Sequence, residues 1–402
     1  MPARRSLLYL AREVPVPITS TNRLRTYNWL VHLSRHFDVT LVCAPENPPP
    51  AESLEALRPY CTELHLIAPL RHGRGVVDRG GAELRYLLRG VPHESTRLRR
   101  RALRRQLSQL GATHDYAIVF AERWTWGPEV LALAPLSVVD AGALQAEQHV
   151  LALRSERNPL RRILRRHLAG AFAAAERDML RRAGVVLTQS ATERHAVRAI
   201  GCEDTLFVPA GLDVRYFAPR RQVVDPGCVV FYGVLDSPAQ RDALLHLQRD
   251  IMPEVRKRVR RAHLNVLAPE APAELHASPD PTLQFTGPLE DPRTALWPAA
   301  VAALPLRFGS GSRSRLAQLL SLGIPVVATP GAVSGLDLSS GDGVLVASPG
   351  SEFARTLADV LSDPSLREDL SRRGRATAER RLSIAATYER LTSELAAHVA
   401  SH

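Results

Sequence analysis

The sequence predicts an α/β protein built from two doubly wound lobes. Three observations carry that reading. Short, β-rich apolar runs alternate with longer amphipathic stretches from end to end, the pattern of parallel strands joined by crossover helices. The alternation is interrupted at the Pro- and Arg-bearing segment Pro219 to Gly227 and restarts at Cys228. The chain has 402 residues, 45% of them hydrophobic, enough for two cores of ordinary size.

In the first lobe the candidate strands are Ser6 to Leu10, Val39 to Cys43, Leu64 to Ile67, Tyr116 to Phe120, Ser137 to Asp140, Val185 to Gln189 and Leu206 to Pro209. Between the first two, Asn22 to His36 sets Leu24, Tyr27, Leu30, Val31 and Ser34 at helical spacing, with Asn22 as N-cap. In the second lobe the strands are Cys228 to Tyr232, Leu264 to Leu267, Leu283 to Thr286, Val301 to Pro305, Pro325 to Ala328 and Val344 to Ala347. Most are short and nearly continuous in apolar character, as parallel strands covered on both faces should be. From Glu352 onward the pattern is helical, with a break at Asp363 and Pro364, and Ser383 caps a final helix.

Composition removes several function classes. Lys plus Arg is 52 against 41 for Asp plus Glu, a net charge of +11, yet Lys257 is the only lysine. A basicity made of arginine predicts affinity for anionic surfaces. No nucleic-acid reader motif accompanies it, so nucleic acid ranks last among partners. No run of 18 apolar residues predicts a membrane-spanning helix. The stretch Leu7 to Leu10 is too short for a signal-peptide core. Cys43, Cys61, Cys202 and Cys228 form no C-x-x-C pair, so neither a zinc site nor a disulfide framework is expected, and a reducing cytoplasm fits best.

The most informative stretch is Leu304 to Thr329, LPLRFGSGSRSRLAQLLSLGIPVVAT. A strand runs into a loop with Gly309 and Gly311, then into a helix carrying Arg313 and Arg315. Glycines let backbone N–H groups approach an anion, the helix N-terminus adds partial positive charge, and arginines fork onto phosphate oxygens. By form alone the same residues also describe a flexible turn with two solvated arginines.

Those residues resemble the donor-site segment of glycosyltransferase family 4. Pro305, Leu306 and Arg307 open it, Arg315 takes the basic position, Gln318 the carboxylate position, and Gly323, Pro325, Val326 and Val327 close it. Gly335 and Leu336 match a Glu-Gly-Leu turn without its Glu. Three further segments agree in order. PVPITSTNRLRTY, from Pro15, resembles the family's first loop and helix, with Arg25 at its arginine. VPAGLDVRYFAP, from Val208, is similar to the interdomain signature. VVFYGVLDSPAQRDAL, from Val229, looks like the opening of the second lobe, with Gly233, Asp236, Asp242 and Ala243 in place. The chain is most similar to bacterial exopolysaccharide-associated sugar transferases of that family.

The resemblance implies a GT-B fold. Residues 1–208 form an acceptor-side Rossmann-like lobe, 209–380 a nucleotide-sugar-binding lobe, and 381–402 a helix packing back on the first. It implies transfer of a sugar from a nucleoside-diphosphate sugar to a glycan, lipid-linked or small-molecule hydroxyl, with retention and without a metal or other cofactor. Without a metal, the departing diphosphate must be stabilised by arginines and helix N-termini. The implied donor-binding residues are Thr21, Gly233, Gly309, Gly311, Arg313, Arg315 and Gln318, and Arg25 is implied on the acceptor side; Glu122, which follows the strand Tyr116 to Phe120, reads from its position as an acceptor-sugar contact.

Several positions depart from the family pattern. Ser310 and Gln318 stand where many members carry two acidic residues, Thr21 replaces a glycine, and Ala210 an asparagine. These departures motivate a second reading, a catalytically degenerate relative acting as partner or scaffold. Asp140 matches the first aspartate of a D-x-x-D-x-D segment and is the candidate catalytic residue, orienting or deprotonating an acceptor hydroxyl; a helix cap near Ala143 is the alternative. Trp124 and Trp126 read as packed loop anchors and His149 and His167 as surface residues. Of the arginine runs, Arg154 to Arg166 frames an apolar stripe of Leu160, Ile163, Leu164 and Leu168, suited to an anionic membrane or to the protein's own core. The expected location is cytoplasmic, extending to the inner face of the membrane.

Overall fold

The computed structural model describes residues 4–18, 21–45, 47–67, 101–123, 126–141, 144, 146, 150, 153, 158–220, 223–233, 235, 238–268, 282–287, 289, 291–308 and 313–400. They form two units, Met1–Val208 with Tyr388–His402, and Pro209–Thr387.

The first unit holds β1 (Arg5–Ala11), β2 (Phe37–Cys43), β3 (Glu63–Leu66), β4 (Tyr116–Glu122), β5 (Leu136–Asp140), β6 (Val185–Thr188) and β7 (Thr205–Phe207). All pair in parallel, in the order β3-β2-β1-β4-β5-β6-β7. Its main helices are α1 (Thr21–Leu33), α2 (Arg101–Thr113), α3 (Pro159–Leu180) and α4 (Ala191–Ala199). Leu7, Leu8, Tyr9 and Leu10 are fully buried because β1, in mid-sheet, is covered on both faces. Ser190 caps α4 by accepting from the Glu193 N–H at 3.0 Å, while Glu193 accepts from the Gln189 N–H at 2.9 Å.

The second unit holds β8 (Asp225–Tyr232), β9 (His263–Leu267), β10 (Leu283–Thr286), β11 (Ala299–Leu304), β12 (Val326–Ala328) and β13 (Val344–Val346), ordered β10-β9-β8-β11-β12-β13 and again parallel. Its main helices are α5 (Pro238–His246), α6 (Met252–Arg258), α7 (Arg313–Ser321), α8 (Ser351–Ser362) and α9 (Pro364–Thr377). A π-helical turn, Leu247–Ile251, joins α5 to α6 just before Pro253, whose missing N–H cannot sustain the regular ladder. Asp363 caps α9, accepting from the Leu366 N–H at 3.0 Å, so the sequence break at Asp363–Pro364 is a cap followed by Pro at the first helical position.

Every strand expected from the sequence is present, with ends shifted by a few residues. The largest extension is β8, which begins at Asp225 rather than Cys228 because the Asp225 N–H donates to the Pro298 carbonyl at 2.9 Å. The chain leaves the second unit at Tyr388, not at residue 381. Leu382 and Ser383 stay in the second unit because the Leu212 N–H donates to the Leu382 carbonyl at 2.8 Å and the Ile384 N–H to the Leu212 carbonyl at 3.0 Å. The last helix, α10 (Arg390–Ala400), belongs to the first unit, where Tyr388 meets Trp29 edge-on at 4.7 Å.

Candidate functional site

In each sheet the strand order reverses beside its first strand, between β1 and β4 and between β8 and β11. At such a point neighbouring crossovers diverge to opposite faces and leave a crevice outside the carboxyl ends of the strands. The candidate residues gather at these two places, one in each unit.

In the first unit, β1, β4 and β5 end side by side on Ala11, Glu122 and Asp140, and α1 runs past them. Glu122 and Asp140 are register partners, 9% and 3% exposed. Asp140 Oδ2 accepts from Arg25 Nε at 2.6 Å and from Trp29 Nε1 at 2.9 Å. Arg25 and Trp29 are one helical turn apart on α1, which is why one carboxylate receives both. A second nitrogen of Arg25, Nη1, donates to the Val208 carbonyl at 3.1 Å. Burial alone would lower the Arg25 pKa, but the Asp140 carboxylate outweighs it and holds the guanidinium above its ordinary value. Asp140 and Arg25 thus form a buried ion pair, with Asp140 anchoring the arginine.

Glu122 is held differently. Its Oε1 accepts from the Tyr9 hydroxyl at 2.6 Å and its Oε2 from the Arg12 N–H at 3.3 Å. Burial pushes its pKa up to about 7, against the lowering effect of the hydrogen bonds from Tyr9 and Thr26. A carboxyl poised there can hold or release a proton near neutrality. Burial and the nearby Glu122 carboxylate together push the Tyr9 phenol well above its ordinary range. Beside Glu122, Arg123 takes a left-handed backbone at φ 68° and donates its N–H to the Asp140 carbonyl at 2.7 Å. A pocket opens over this floor, lined among others by Arg12, Asn22, Arg25, Glu122, Arg123 and Gln189. A wider one of about 370 Å³ adjoins it, with Arg12, Glu13, Asn22, Arg23 and Asn47 against a rim of Pro17, Pro48 and Pro49. The lining of the wider pocket is mainly polar, a match for hydroxyl-rich ligands.

In the second unit, β8 ends on Tyr232 and β11 leads towards α7. The first turn of α7 carries Arg313 and Arg315, and the Arg315 guanidinium lies over the Tyr232 ring at 4.8 Å. Burial raises the Tyr232 pKa, partly offset by Arg315. Gln318, one turn further along α7, has its Oε1 buried without a hydrogen-bond partner among the described residues. Gly233 follows Tyr232; a Cβ there would lie 2.5 Å from Phe231 Cε1 and 2.6 Å from Gln240 Oε1. A Cβ on Gly335 would lie 2.7 Å from Arg313 Cδ, so the Arg313 stem packs directly on that turn. Arg307 is committed to Asp242 through two hydrogen bonds, Nε to Oδ2 at 2.9 Å and Nη2 to Oδ1 at 2.5 Å.

The structure therefore brings Arg25, Glu122 and Asp140 together in one unit and Gly233, Arg315 and Gln318 to the matching place in the other. Thr21 is the first residue of α1. Gly309, Ser310, Gly311, Asp236, Ala143 and Trp124 lie outside the described residues. Trp126 is 2% exposed and packs in the first core, as a loop anchor should. Sequence reasoning missed Tyr9, Trp29 and Tyr232, which read as ordinary core aromatics; the one available signal was that Tyr9 and Tyr232 lie at or near the ends of the first strands of their sheets. Among the described residues no group of three His, Cys, Asp or Glu could hold a metal ion, and no helix is long and apolar enough to cross a membrane. All four cysteines are free.

Residues 226–363 match the family Glycosyl transferases group 1. A search of curated proteins with the sequence finds no match. Among solved structures, HepE of Anabaena in complex with UDP is similar at a TM-score of 0.62 and 13% identity, covering 98% of this chain and 100% of that one. Sucrose-phosphate synthase of Thermosynechococcus elongatus is similar at 0.61 and 15%, covering 99% and 100%. A glycosyltransferase from Rickettsia africae is similar at 0.60 and 11%, covering 100% of both chains. The match to Glycosyl transferases group 1 falls within the second unit, and the chain has the GT-B fold of two Rossmann-like lobes.

Proposed function

We propose that the protein is a glycosyltransferase that moves a sugar from a nucleoside-diphosphate sugar to a hydroxyl of a glycan, lipid-linked or small-molecule acceptor. The observation that carries the reading is the placement of Arg315, over Tyr232 and in the first turn of α7, at the switch point of a sheet within the matched domain. As the bond from the anomeric carbon to the diphosphate breaks, negative charge grows on the leaving oxygen. A guanidinium and a helix N-terminus aimed there stabilise that charge more in the transition state than in the ground state. Arg315 is the principal donor to the diphosphate, supported by Arg313 and by the backbone around Gly309 and Gly311. Gly233 keeps the turn after β8 open to the ligand. Gln318 Oε1, a buried acceptor on the same helix face, takes a hydroxyl of the donor.

In the first unit Glu122 binds an acceptor hydroxyl, and Asp140 and Arg25 fix the floor beneath it. Because arginines supply the positive charge, the reaction runs without a metal and, as in the resembled family 4, with retention. A role in bacterial polysaccharide synthesis in the cytoplasm follows from the same resemblance. The UDP bound by HepE makes UDP the first nucleotide to try. The alternative, a degenerate partner or scaffold, draws on Gln318 standing where a carboxylate is usual.

The test is calorimetric titration of the protein with UDP, GDP, ADP, dTDP and their sugars, with and without EDTA, followed by donor hydrolysis or transfer assays. Selective binding that survives EDTA, with turnover, supports the transferase. Binding without turnover selects the scaffold, and a folded protein that binds none of them refutes both the donor site and the transferase.

A further inference from the structure

We infer that the N-terminal half of α3 is a docking surface for an anionic lipid bilayer. α3 packs inward through Leu168, Ala169, Phe172, Met179 and Leu180, none more than 8% exposed. The opposite side of a surface helix is ordinarily polar. Here it presents Ile163, 69% exposed, and Leu164, 37% exposed. Exposed Arg162, Arg166 and His167 surround them at positions one before, three after and four after Ile163. Seven and eleven residues beyond Ile163, Gly170 and Ala174 continue the face; both are exposed, and a Cβ on Gly170 would meet nothing within 4 Å. Gly170 and Ala174 thus add no bulky side chain to that line of the helix.

The charge pattern selects the occupant. No Asp or Glu occurs from Asn158 to Ala175, while Arg161, Arg162, Arg165, Arg166 and His167 do, on a chain of net charge +11. Two copies meeting through this face would oppose cation to cation, which disfavours self-association. A bilayer with anionic headgroups satisfies both halves of the pattern. The exposed Arg162 and Arg166 engage phosphates with their stems along the interface, and the Ile163 and Leu164 side chains enter the boundary between headgroups and acyl chains. The inference is independent of the nucleotide site.

The experiment is co-sedimentation of the full chain with vesicles of phosphatidylcholine alone and with added phosphatidylglycerol, at low salt and at about 1 M salt, where the screening length falls to about 3 Å. Binding to the anionic vesicles only, lost at high salt, is expected. Arg162→Gln with Arg166→Gln should weaken it about 25-fold, roughly 5-fold per arginine. Ile163→Ser, which leaves the charge unchanged, should weaken it several-fold, an effect that charge adsorption alone would not produce. Circular dichroism and thermal unfolding of each variant report that the chain is folded, without reference to the nucleotide site. Absence of binding by the unaltered chain overturns the inference, as does binding untouched by these substitutions. Sedimentation showing a dimer that Ile163→Ser dissolves would assign the face to a second copy and overturn it too.

Discussion

Raising the pH from about 5 to about 8 is expected to destabilise the first unit, and Glu122→Gln is expected to flatten that dependence. Glu122 is 9% exposed at the end of β4, and burial lifts its carboxyl from an ordinary 4.5 to about 7. Between those values the folded state keeps a proton that the unfolded chain has released. The folded state then binds more protons, so stability falls as pH rises, and the loss is complete above the folded value. A gap of that size is worth about 3 kcal/mol. Gln keeps an acceptor for the Tyr9 hydroxyl but turns its NH2 towards the Arg12 N–H, so the variant should be less stable at low pH and gain relative to the unaltered protein at high pH. The assay is urea unfolding across pH, followed by tryptophan fluorescence; Trp29, Trp124 and Trp126 belong to the first unit and only Trp297 to the second. Other groups titrate in the same range, so the readout is the difference between the two proteins. A difference that stays constant from pH 5 to 8 would refute the reasoning.

Arg25→Met should leave the Asp140 carboxylate buried without its cationic partner, although Trp29 Nε1 still donates to it, and cost about 3–5 kcal/mol. Adding Asp140→Leu should recover part of that loss, and urea unfolding that shows a single-variant cost below about 1 kcal/mol would contradict the buried-pair account. Arg315→Ala should weaken UDP binding by about 10- to 100-fold, the worth of charge-assisted hydrogen bonds to phosphate. Arg315→Lys should recover little, since an ammonium reproduces neither the fork nor the stacking on Tyr232; calorimetry decides, and unchanged affinity in the Ala variant would remove Arg315 from the donor site. Gly233→Ala forces its Cβ against the buried Phe231 ring and should cost about 1–3 kcal/mol of second-unit stability while lowering nucleotide affinity. Differential scanning calorimetry and UDP titration read the two effects, and a silent substitution would show that the turn relaxes freely.

Much of this was legible before the fold was known. β12 and β13 show how: each is a short apolar run bounded by turn residues, and backbone hydrogen bonding needs no more than that to declare a strand. The helix break at Asp363 and Pro364 was equally local, a side-chain acceptor followed by a residue with no N–H to lose. The positions of Arg313, Arg315 and Gln318 on one helix followed from spacing. What those side chains touch did not. Arg307 reads as part of the same anion-binding run, yet it is spent on Asp242, 65 residues away.

The sequence alone determined the strands, their alternation with helices, the two-lobe architecture and the identity of the charged residues near the strand ends, because each depends on patterns a few residues long. Tertiary structure decided which of those residues act together. Arg25 and Asp140 are 115 residues apart, and Tyr9 and Glu122 are 113 apart. They meet only because β1 pairs with β4, and β4 with β5, and the strand order reverses there. Strand order is set by the packing of all the crossovers at once, and local periodicity carries no record of it. The proton on Glu122 belongs to the same category: a glutamate in a strand has an ordinary pKa until the sheet and α1 close over it and remove the water that would solvate its charge.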